Sequence, residues 1–368
     1  MSETLLSELT TLGVGGPART YVRARTEQEI IDALIAADDA GDQVLILGGG
    51  SNLVVGDDGF DGTVVHTAST GVTVRRAEDG RSARLSAEAG EDWDGLVARS
   101  LEEGLSGLET LSGIPGTVGA TPVQNVGAYG TEISQHFASA RLWDRVERRV
   151  EVFDRQRMAF AYRDSALKRE MLGPSPRWAV LQVSFDLEVR GDSAPLRYAE
   201  LARSLGTEVG ERVPAARVRE AVLRLRAGKG MVLDPADRDT HSTGSFFTNP
   251  ILPTEQMDEL VERAGAAGGE VEVAADARRI AAQQRAEAGL HAGQLRRAAD
   301  REVAHRLAGS GDAGLIAADG GGLEVGRADI AHQALWRDRE TILVRPVGDP
   351  RQDRLTHLQH MRLPPQTS

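Results

Sequence analysis

Apolar residues recur with two periods along the first 190 residues, and together the two periods predict an α+β unit. A helical period marks residues 27–40 and 91–103, and Asp92 is placed to cap the second helix. Short apolar runs and alternating segments predict strands. These strands cover residues 44–47, 54–55, 63–65, 139–144, 149–154 and 178–188, and residues 71–88 form two more that join at Asp79-Gly80.

After residue 190 the pattern changes to amphipathic helices, interrupted by a segment with few large apolar side chains. Helices are predicted at residues 196–208, 214–228, 254–265 and 328–338, with an exposed loop at 229–243 and a last strand at 340–346. We therefore expect three parts, namely residues 1–190, a C-terminal domain over 191–348, and a polar, disordered tail over 349–368.

A glycine-rich stretch over residues 104–130 carries the strongest chemical signal. Its one charged side chain is Glu109, so we expect it to be buried, and buried glycine lets the backbone approach a flat or phosphorylated ligand. Gln124 and Asn125 can pair with the edge of a heterocycle, whereas Gly127 and Ala128 leave room for a ring. The other candidates supply backbone groups and a hydroxyl; they are Ser112, Pro115, Gly116, Gly119 and Ala120. A packed glycine-rich turn without a ligand is the alternative.

A second glycine-rich loop directly follows the predicted strand 44–47. Consecutive glycine amides can face an anion, and neighbouring side chains can add donors. The residues of this loop are Gly48, Gly49, Gly50, Ser51 and Asn52. The loop matches neither GxGxxG nor GxxxxGK[ST], so an ordinary tight turn is the alternative to a phosphate cradle.

Two polar residues in sparsely charged or apolar surroundings are candidates for catalysis. Arg163, in Tyr162-Arg163-Asp164-Ser165, has a guanidinium group that can bind a carboxylate of a ligand through two parallel hydrogen bonds. An ion pair with Asp164 is the alternative. Ser245, in the segment GSFFTNP, has a hydroxyl that needs a partner in a dry setting. No G-x-S-x-G elbow surrounds it, so it is either a structural serine or a proton donor.

Composition narrows the function classes. The net charge of −12 argues against general nucleic-acid binding. The chain has no cysteine, which excludes thiolate chemistry, so any redox reaction needs a bound cofactor. Its 8 histidines show no metal-ligand spacing, and we expect no metal. No apolar run approaches the roughly 20 residues of a membrane span, and no signal peptide is visible, so we expect a soluble, cytoplasmic protein that binds no membrane. We also expect a monomer.

The motifs resemble those of one enzyme family in identity, order and approximate spacing. GGGSNL, the stretch 104–130, YRDS, RAGKGMVLDP and GSFFTNP follow one another as in the UDP-N-acetylenolpyruvoylglucosamine reductase family, and LTTLGVGGPA at 9–18 resembles its N-terminal signature. The resemblance covers residues 5–265. It implies an α+β chain with an FAD-binding PCMH/VAO-type two-subdomain flavin fold and a C-terminal α+β substrate-binding domain. The two glycine-rich loops resemble the FAD-contacting loops of that fold.

The resemblance also implies a reaction and assigns residues to it. NADPH reduces FAD, and UDP-N-acetylglucosamine enolpyruvate is then reduced to UDP-N-acetylmuramate, a precursor of peptidoglycan. Arg163 matches the arginine that polarises the substrate carboxylate, and Ser245 matches the serine that protonates the adjacent carbon. The residues matching those that bind the UDP-sugar substrate are Tyr162, Tyr198, Lys229 and Asn249.

The resemblance weakens toward the C-terminus. The family has a third catalytic residue, a glutamate in its final strand, where this chain carries Arg345 or a deletion. Glu340 and, more remotely, Glu324 are candidates for a relocated acid, and the alternatives to relocation are loss of full activity and an altered translation of the C-terminal region. The candidate functions are therefore an active reductase, a non-catalytic flavin- or nucleotide-sugar-binding relative, and a carbohydrate oxidase that shares only the flavin fold.

Overall fold

The structure is a computed structural model that describes residues 4–242 continuously and a few positions beyond them. Those positions are residues 256, 259–260, 262–263, 269–270 and 345–346. By its internal contacts the chain divides into two compact units, Met1–Thr248 and Asn249–Ser368. The predicted boundary at residue 190 stays a prediction.

In the second unit, Gly269–Glu270 pairs antiparallel with Arg345–Pro346, the described part of the strand predicted at 340–346. The described positions within the predicted helix 254–265 are helical. The helix predicted at 328–338 and the tail over 349–368 lie outside the described residues.

The first unit begins with a small parallel sheet covered by a helix. The elements are β1 (Ala18–Ala24), α1 (Glu27–Asp39), β2 (Val44–Leu47) and β3 (Phe60–Thr67), in the sheet order β1-β3-β2. The side chain of Thr26 caps α1 by accepting a hydrogen bond from the Glu29 amide (3.1 Å). The apolar face of α1, which includes Ile30 and Leu34, is buried against Val44 and Val65 of the sheet.

A larger antiparallel sheet forms the centre of the first unit. The remaining strands of the unit are β4 (Val72–Arg76), β5 (Ser82–Glu88), β6 (Leu105–Ser106), β7 (Gly127–Ala128), β8 (Thr131–Glu132), β9 (Phe137–Asp144), β10 (Arg149–Asp154), β11 (Met171–Leu172), β12 (Ser175–Pro176) and β13 (Trp178–Val189). In the larger sheet the strand order is β10-β9-β13-β5-β4, and β6 pairs with one end of β13. β7 with β8 and β11 with β12 form two short hairpins.

Helices complete the core of the first unit. They are α2 (Trp93–Glu102), α3 (Arg155–Met158), α4 (Ala166–Arg169), α5 (Ala199–Leu205) and α6 (Ala215–Ala227), with short 3₁₀ turns at Leu6–Glu8, Glu109–Leu111, Val118–Ala120, Ile133–Gln135 and Arg238–Thr240. Trp93 of α2 is fully buried and meets Phe185 edge to face, with ring centroids 5.7 Å apart. Leu201 and Val222 belong to a separate cluster between α5 and α6.

Most predicted elements of the first unit are confirmed, including the Asp92 cap, whose carboxylate accepts from the Gly95 amide (2.7 Å). The strand predicted at 54–55 is wrong, since Val54 and Val55 lie outside any strand. Residues 48–59 connect the end of β2 to the start of its parallel neighbour β3, and a parallel pair needs a crossover of about this length, so Val54 and Val55 belong to the connection. Among the described residues, no helix is both long and apolar enough to cross a membrane.

Candidate functional site

The two glycine-rich loops meet backbone against backbone. A Cβ atom at Gly49 would lie 2.7 Å from the Cα of Gly116, and one at Gly48 would lie 2.5 Å from Thr117 Oγ1. Both distances are shorter than a real Cβ contact allows, so these glycines permit a packing that any side chain would open. The loop after β2 and the loop before Val118 therefore form one joint surface, although the sequence separates them widely.

Several polar groups on this joint surface have no partner among residues 4–242. The amides of Gly49, Gly50 and Ser51, and those of Gly116 and Thr117, find no hydrogen-bond acceptor there. The buried hydroxyl of Thr117 is likewise without a partner in the described part of the chain. Buried hydroxyls are normally satisfied, and a concave cluster of backbone N–H donors is typical of anion sites, so the cluster points to a bound anion. The surface thus fits a phosphate group.

Strand ends and α2 fix the second loop. The Trp93 amide donates to the Gly116 carbonyl (3.1 Å), and the Gly119 amide donates to the Ala89 carbonyl (2.8 Å). A Cβ at Gly119 would lie 2.7 Å from that of Ala89. The Gly116 carbonyl, the Gly119 amide and close packing hold the loop, so the amides of Gly116 and Thr117, which have no acceptor among residues 4–242, can face a ligand.

The side chain of Asn125, which is predicted to contact a ligand, is hydrogen-bonded within the protein. Its backbone is left-handed (φ 48°) and its side chain is 1% exposed. The side-chain amide donates to Glu132 Oε2 (2.7 Å) and to the Ala161 carbonyl (3.1 Å), and its oxygen accepts from the Ser134 amide (3.1 Å). These groups are engaged within the protein, so Asn125 shapes the stretch from inside. Direct contact between Asn125 and a ligand stays a prediction.

Arg163 lies at the tip of a tight turn that is tied to the same stretch. Ala161 and Asp164 exchange backbone hydrogen bonds of 3.0 and 3.2 Å, which leaves Arg163 in a left-handed conformation (φ 53°). The buried Ser165 donates to the Val123 carbonyl (2.6 Å), and Arg163 Nη2 donates to the Gly127 carbonyl (3.1 Å). The turn is therefore positioned against Gly127, where the sequence predicts room for a ring.

The charge of Arg163 is not neutralised by its neighbour in sequence. Asp164 pairs with Arg169, and no carboxylate within the described residues forms an ion pair with Arg163. Tyr162, beside it, is half-buried, with its ring centre 5.9 Å from the guanidinium carbon. The alternative of an Arg163–Asp164 ion pair is wrong, and the fork keeps donors for an acidic ligand.

The predicted substrate residues Tyr198 and Lys229 gather around Tyr129, which the sequence did not single out as a site residue. The rings of Tyr129 and Tyr198 meet edge to face with centroids 5.5 Å apart. Burial raises the pKa of Tyr129, and the charge of Lys229 opposes that rise. A hydrogen bond of 2.9 Å to Glu200 raises the pKa of Lys229. The signal for Tyr129 was its place at the end of the glycine-rich stretch.

The remaining predicted residues have more varied positions. Ser245, Asn249, Glu324 and Glu340 lie outside the described residues. Gln124, Gly127 and Ala128 are half-buried next to the Arg163 turn, whereas Asn52 and Ala120 are exposed. In residues 4–242 and the other described positions, no group of acidic and histidine side chains is arranged to hold a metal. A depression of about 460 Å³ beside α1 and β1 contains none of the predicted site residues.

Comparisons with known proteins agree with this geometry. A family model described as an FAD binding domain matches residues 18–152. A UDP-N-acetylenolpyruvoylglucosamine reductase of Saccharopolyspora erythraea is 52% identical over 264 residues, 72% of this chain and 70% of the relative. A reductase of the same name from Streptomyces coelicolor is 51% identical over 269 residues, 73% of this chain and 68% of the relative.

A solved UDP-N-acetylenolpyruvylglucosamine reductase from Thermus caldophilus is also similar to this chain. It is 25% identical, with a TM-score of 0.45, covering 72% of this chain and 79% of the other. The FAD-binding domain expected from the motifs is confirmed by the family model.

Proposed function

The chain belongs to the UDP-N-acetylenolpyruvoylglucosamine reductase family, and from this premise we propose that it reduces UDP-N-acetylglucosamine enolpyruvate to UDP-N-acetylmuramate with NADPH. The family match and the FAD binding domain make it an FAD-dependent oxidoreductase. Membership of this family removes the carbohydrate-oxidase alternative. The reaction belongs to peptidoglycan precursor synthesis, and we place it in the cytoplasm with the protein as a monomer.

The observation that carries the proposal is the position of Arg163. Its guanidinium donates to Gly127 of the glycine-rich stretch (3.1 Å) and has no carboxylate partner in the described residues. A free cation beside the predicted flavin loop suits a substrate whose carboxylate must lie next to the cofactor. The enolpyruvyl group has such a carboxylate, attached directly to the reacting double bond.

FAD would be held mainly by the joint surface of the two loops. The amides of Gly49, Gly50 and Ser51, which have no acceptor among residues 4–242, suit its pyrophosphate, and the Thr117 hydroxyl adds a buried donor. When bound, FAD supplies two-electron hydride chemistry that no side chain of this chain can provide. The residues that we propose to hold it are Gly48, Gly49, Gly50, Ser51, Asn52, Ser112, Pro115, Gly116, Gly119, Ala120, Gln124, Asn125, Gly127 and Ala128.

The protein groups handle the charge and the proton. The reaction adds a hydride and a proton across the enolpyruvyl double bond, and negative charge develops toward the carboxylate before the proton arrives. Arg163 stabilises that charge from a fixed position, as oxyanion donors do, which is worth about 3 kcal/mol. Ser245 donates the proton to the carbon next to the carboxylate. Tyr162, Tyr198, Lys229 and Asn249 bind the UDP-sugar, and the region 191–348 forms the substrate domain.

One observation favours a second candidate, a relative that binds flavin and UDP-sugar without turning over. The chain carries Arg345 where the resemblance calls for a catalytic glutamate, and neither Glu340 nor Glu324 stands in an equivalent motif. If the chain is instead an active reductase, we propose that Glu340 or Glu324 acts in place of that glutamate.

Separate half-reactions under anaerobic conditions distinguish the two candidates. The purified protein is first examined for flavin absorption and then reduced with NADPH. Addition of the enolpyruvyl substrate reoxidises the flavin if the protein is a reductase. Reduction by NADPH without reoxidation by substrate identifies the non-catalytic relative. Absence of bound flavin, even after reconstitution with FAD, contradicts both.

A further inference from the structure

Both polar groups of Gly113 are held by charged side chains from two helices. The Gly113 amide donates to Asp94 Oδ1 (2.6 Å), and its carbonyl accepts from Arg226 Nε (3.1 Å). Gly113 is left-handed (φ 70°), and a Cβ there would lie 2.8 Å from Leu223 Cδ2. The peptide groups on either side of Gly113 are thus fixed in direction just before the loop that meets Gly49.

Asp94 is in turn held in a two-pronged ion pair. Arg219 of α6 donates from Nη1 to Oδ1 (2.6 Å) and from Nη2 to Oδ2 (2.7 Å) of the carboxylate. Burial by itself would raise the pKa of Asp94, but the hydrogen bonds from Arg219 and from the Gly113 amide lower it below its usual range. Asp94 Oδ1 therefore accepts from both Arg219 and Gly113 as a charged group.

The first turn of α2 grips both ends of a short segment of the flavin loop. The Asp94 carboxylate binds the amide of Gly113, and the backbone amide of the preceding residue, Trp93, binds the carbonyl of Gly116 (3.1 Å). Between these two anchors lies Pro115, whose ring fixes one backbone dihedral. The two anchors and Pro115 therefore restrict where the amides of Gly116 and Thr117 point.

We propose that Asp94, held by Arg219, is a positioning residue that aims the peptide groups of residues 113–117 at the flavin. It touches the loop and not the ligand. The inference rests on the proposed FAD site. Its physical basis is preorganisation, because donors that are already aligned need no ordering when the cofactor binds.

The test compares Asp94→Asn with a matched control, Asp186→Asn. Asp186 also forms a two-pronged pair, with Arg84 across β5 and β13 (2.9 Å for each contact), but it touches neither glycine-rich loop. For each variant, the apoprotein is titrated with FAD and the absorption spectrum of the bound flavin is recorded. Hydrogen exchange of the peptide covering residues 110–117 is measured in the apoprotein, where no flavin contributes.

Asp94→Asn should weaken FAD binding about tenfold or more, alter the flavin spectrum and speed exchange over residues 110–117. Asp186→Asn should change none of these. Wild-type affinity, spectrum and exchange in Asp94→Asn would overturn the proposal. If that variant does not fold, Arg219→Lys is used instead, because it keeps the positive charge but cannot donate two hydrogen bonds to Asp94. It should change FAD affinity, flavin spectrum and hydrogen exchange in the same direction. Unchanged values in this variant would also overturn the proposal. A wild-type protein that binds no FAD contradicts the proposed function itself, whereas the exchange result still reports whether Asp94 holds the loop.

Discussion

The backbone of Arg163 has an unfavourable conformation in the site. A left-handed backbone is unfavourable for a residue with a Cβ, and such strain persists where surrounding contacts enforce it. Here the enforcing contacts are the hydrogen bonds from Ser165 to Val123 (2.6 Å) and from Asn125 to Ala161 (3.1 Å). In each bond one partner, Val123 or Asn125, belongs to the glycine-rich stretch, so the strained turn and the predicted flavin loop form one structural piece.

Replacement of Arg163 by lysine tests its role as a fork. Lysine keeps the charge but lacks paired donors, so substrate-driven reoxidation of the flavin should slow about 10²–10³-fold. Reduction by NADPH should stay within about twofold of wild type, since the loss of one oxyanion-type donor affects the step it stabilises. Stopped-flow absorbance measures both steps. Arg157→Lys is the control, because the Arg157 side chain is 48% exposed and pairs with Glu151. Equal slowing of both steps in Arg163→Lys would refute the assignment.

Ser245 is assigned to the second half-reaction alone. Ser245→Ala removes the hydroxyl that donates the proton, so reoxidation by the enolpyruvyl substrate should be abolished while reduction by NADPH is intact. The same stopped-flow assay separates the two rates. If both rates fall together, the serine is structural, which is the other interpretation that its sequence context allows.

At the scale of elements, contact between the two glycine-rich loops can be tested at Gly49. Gly49→Ala would place a methyl group 2.7 Å from Gly116 Cα, and overpacking of this kind costs about 1–3 kcal/mol. If that cost falls on the FAD site, FAD binding weakens roughly tenfold or more, since each 1.4 kcal/mol is a factor of ten. Fluorescence titration of the apoprotein measures the change. Gly56→Ala, where nothing lies within 4 Å, is the matched control, and equal effects of the two substitutions would contradict the contact.

Element prediction succeeded where local rules govern and failed where the topology decides. The cap of α2 at Asp92 follows from residues within one turn, and the strands β4 and β5 follow from local alternation. Val54 and Val55 have strand-forming side chains, but they lie in the connection between β2 and β3 and form no strand. The contact between the two glycine-rich loops also depends on topology. Composition predicts each loop, but only the fold places Gly49 against Gly116.

Long-range hydrogen bonds account for the remaining differences in the site. The amide nitrogen of Asn125 donates to Glu132 and to the Ala161 carbonyl, 36 residues away along the chain, and no sequence pattern predicts these bonds. The ion pair of Asp94 with Arg219 likewise joins residues of two separate helices, α2 and α6. The residue types of a site can be anticipated from sequence, whereas the division between groups that face the ligand and groups that hold the site cannot.

At the scale of the whole first unit, two half-buried histidines make stability depend on pH. His66 of β3 bonds to the hydroxyl of Tyr21 (2.7 Å), and the ring of His136 lies against Gly107, whose Cβ would be 2.7 Å from it. Burial lowers the pKa of both histidines, and nearby arginines, Arg23 for the first and Arg197 for the second, lower it further. The unfolded chain therefore takes up protons on these side chains at a higher pH than the folded protein does.

The sign of the effect follows from that difference. An unfolded histidine titrates near pH 6.5, so the stability contributed by the neutral, half-buried rings is complete above that pH and is lost as the pH falls through the lower folded values. Glu88, whose pKa burial raises, acts in the opposite sense. We expect the urea midpoint to be lower at pH 5.5 than at pH 7.5, and the difference to shrink in His136→Gln, because that variant removes one titrating group while its other acids are unchanged. A pH difference as large in His136→Gln as in wild type would exclude His136 as a source of the dependence.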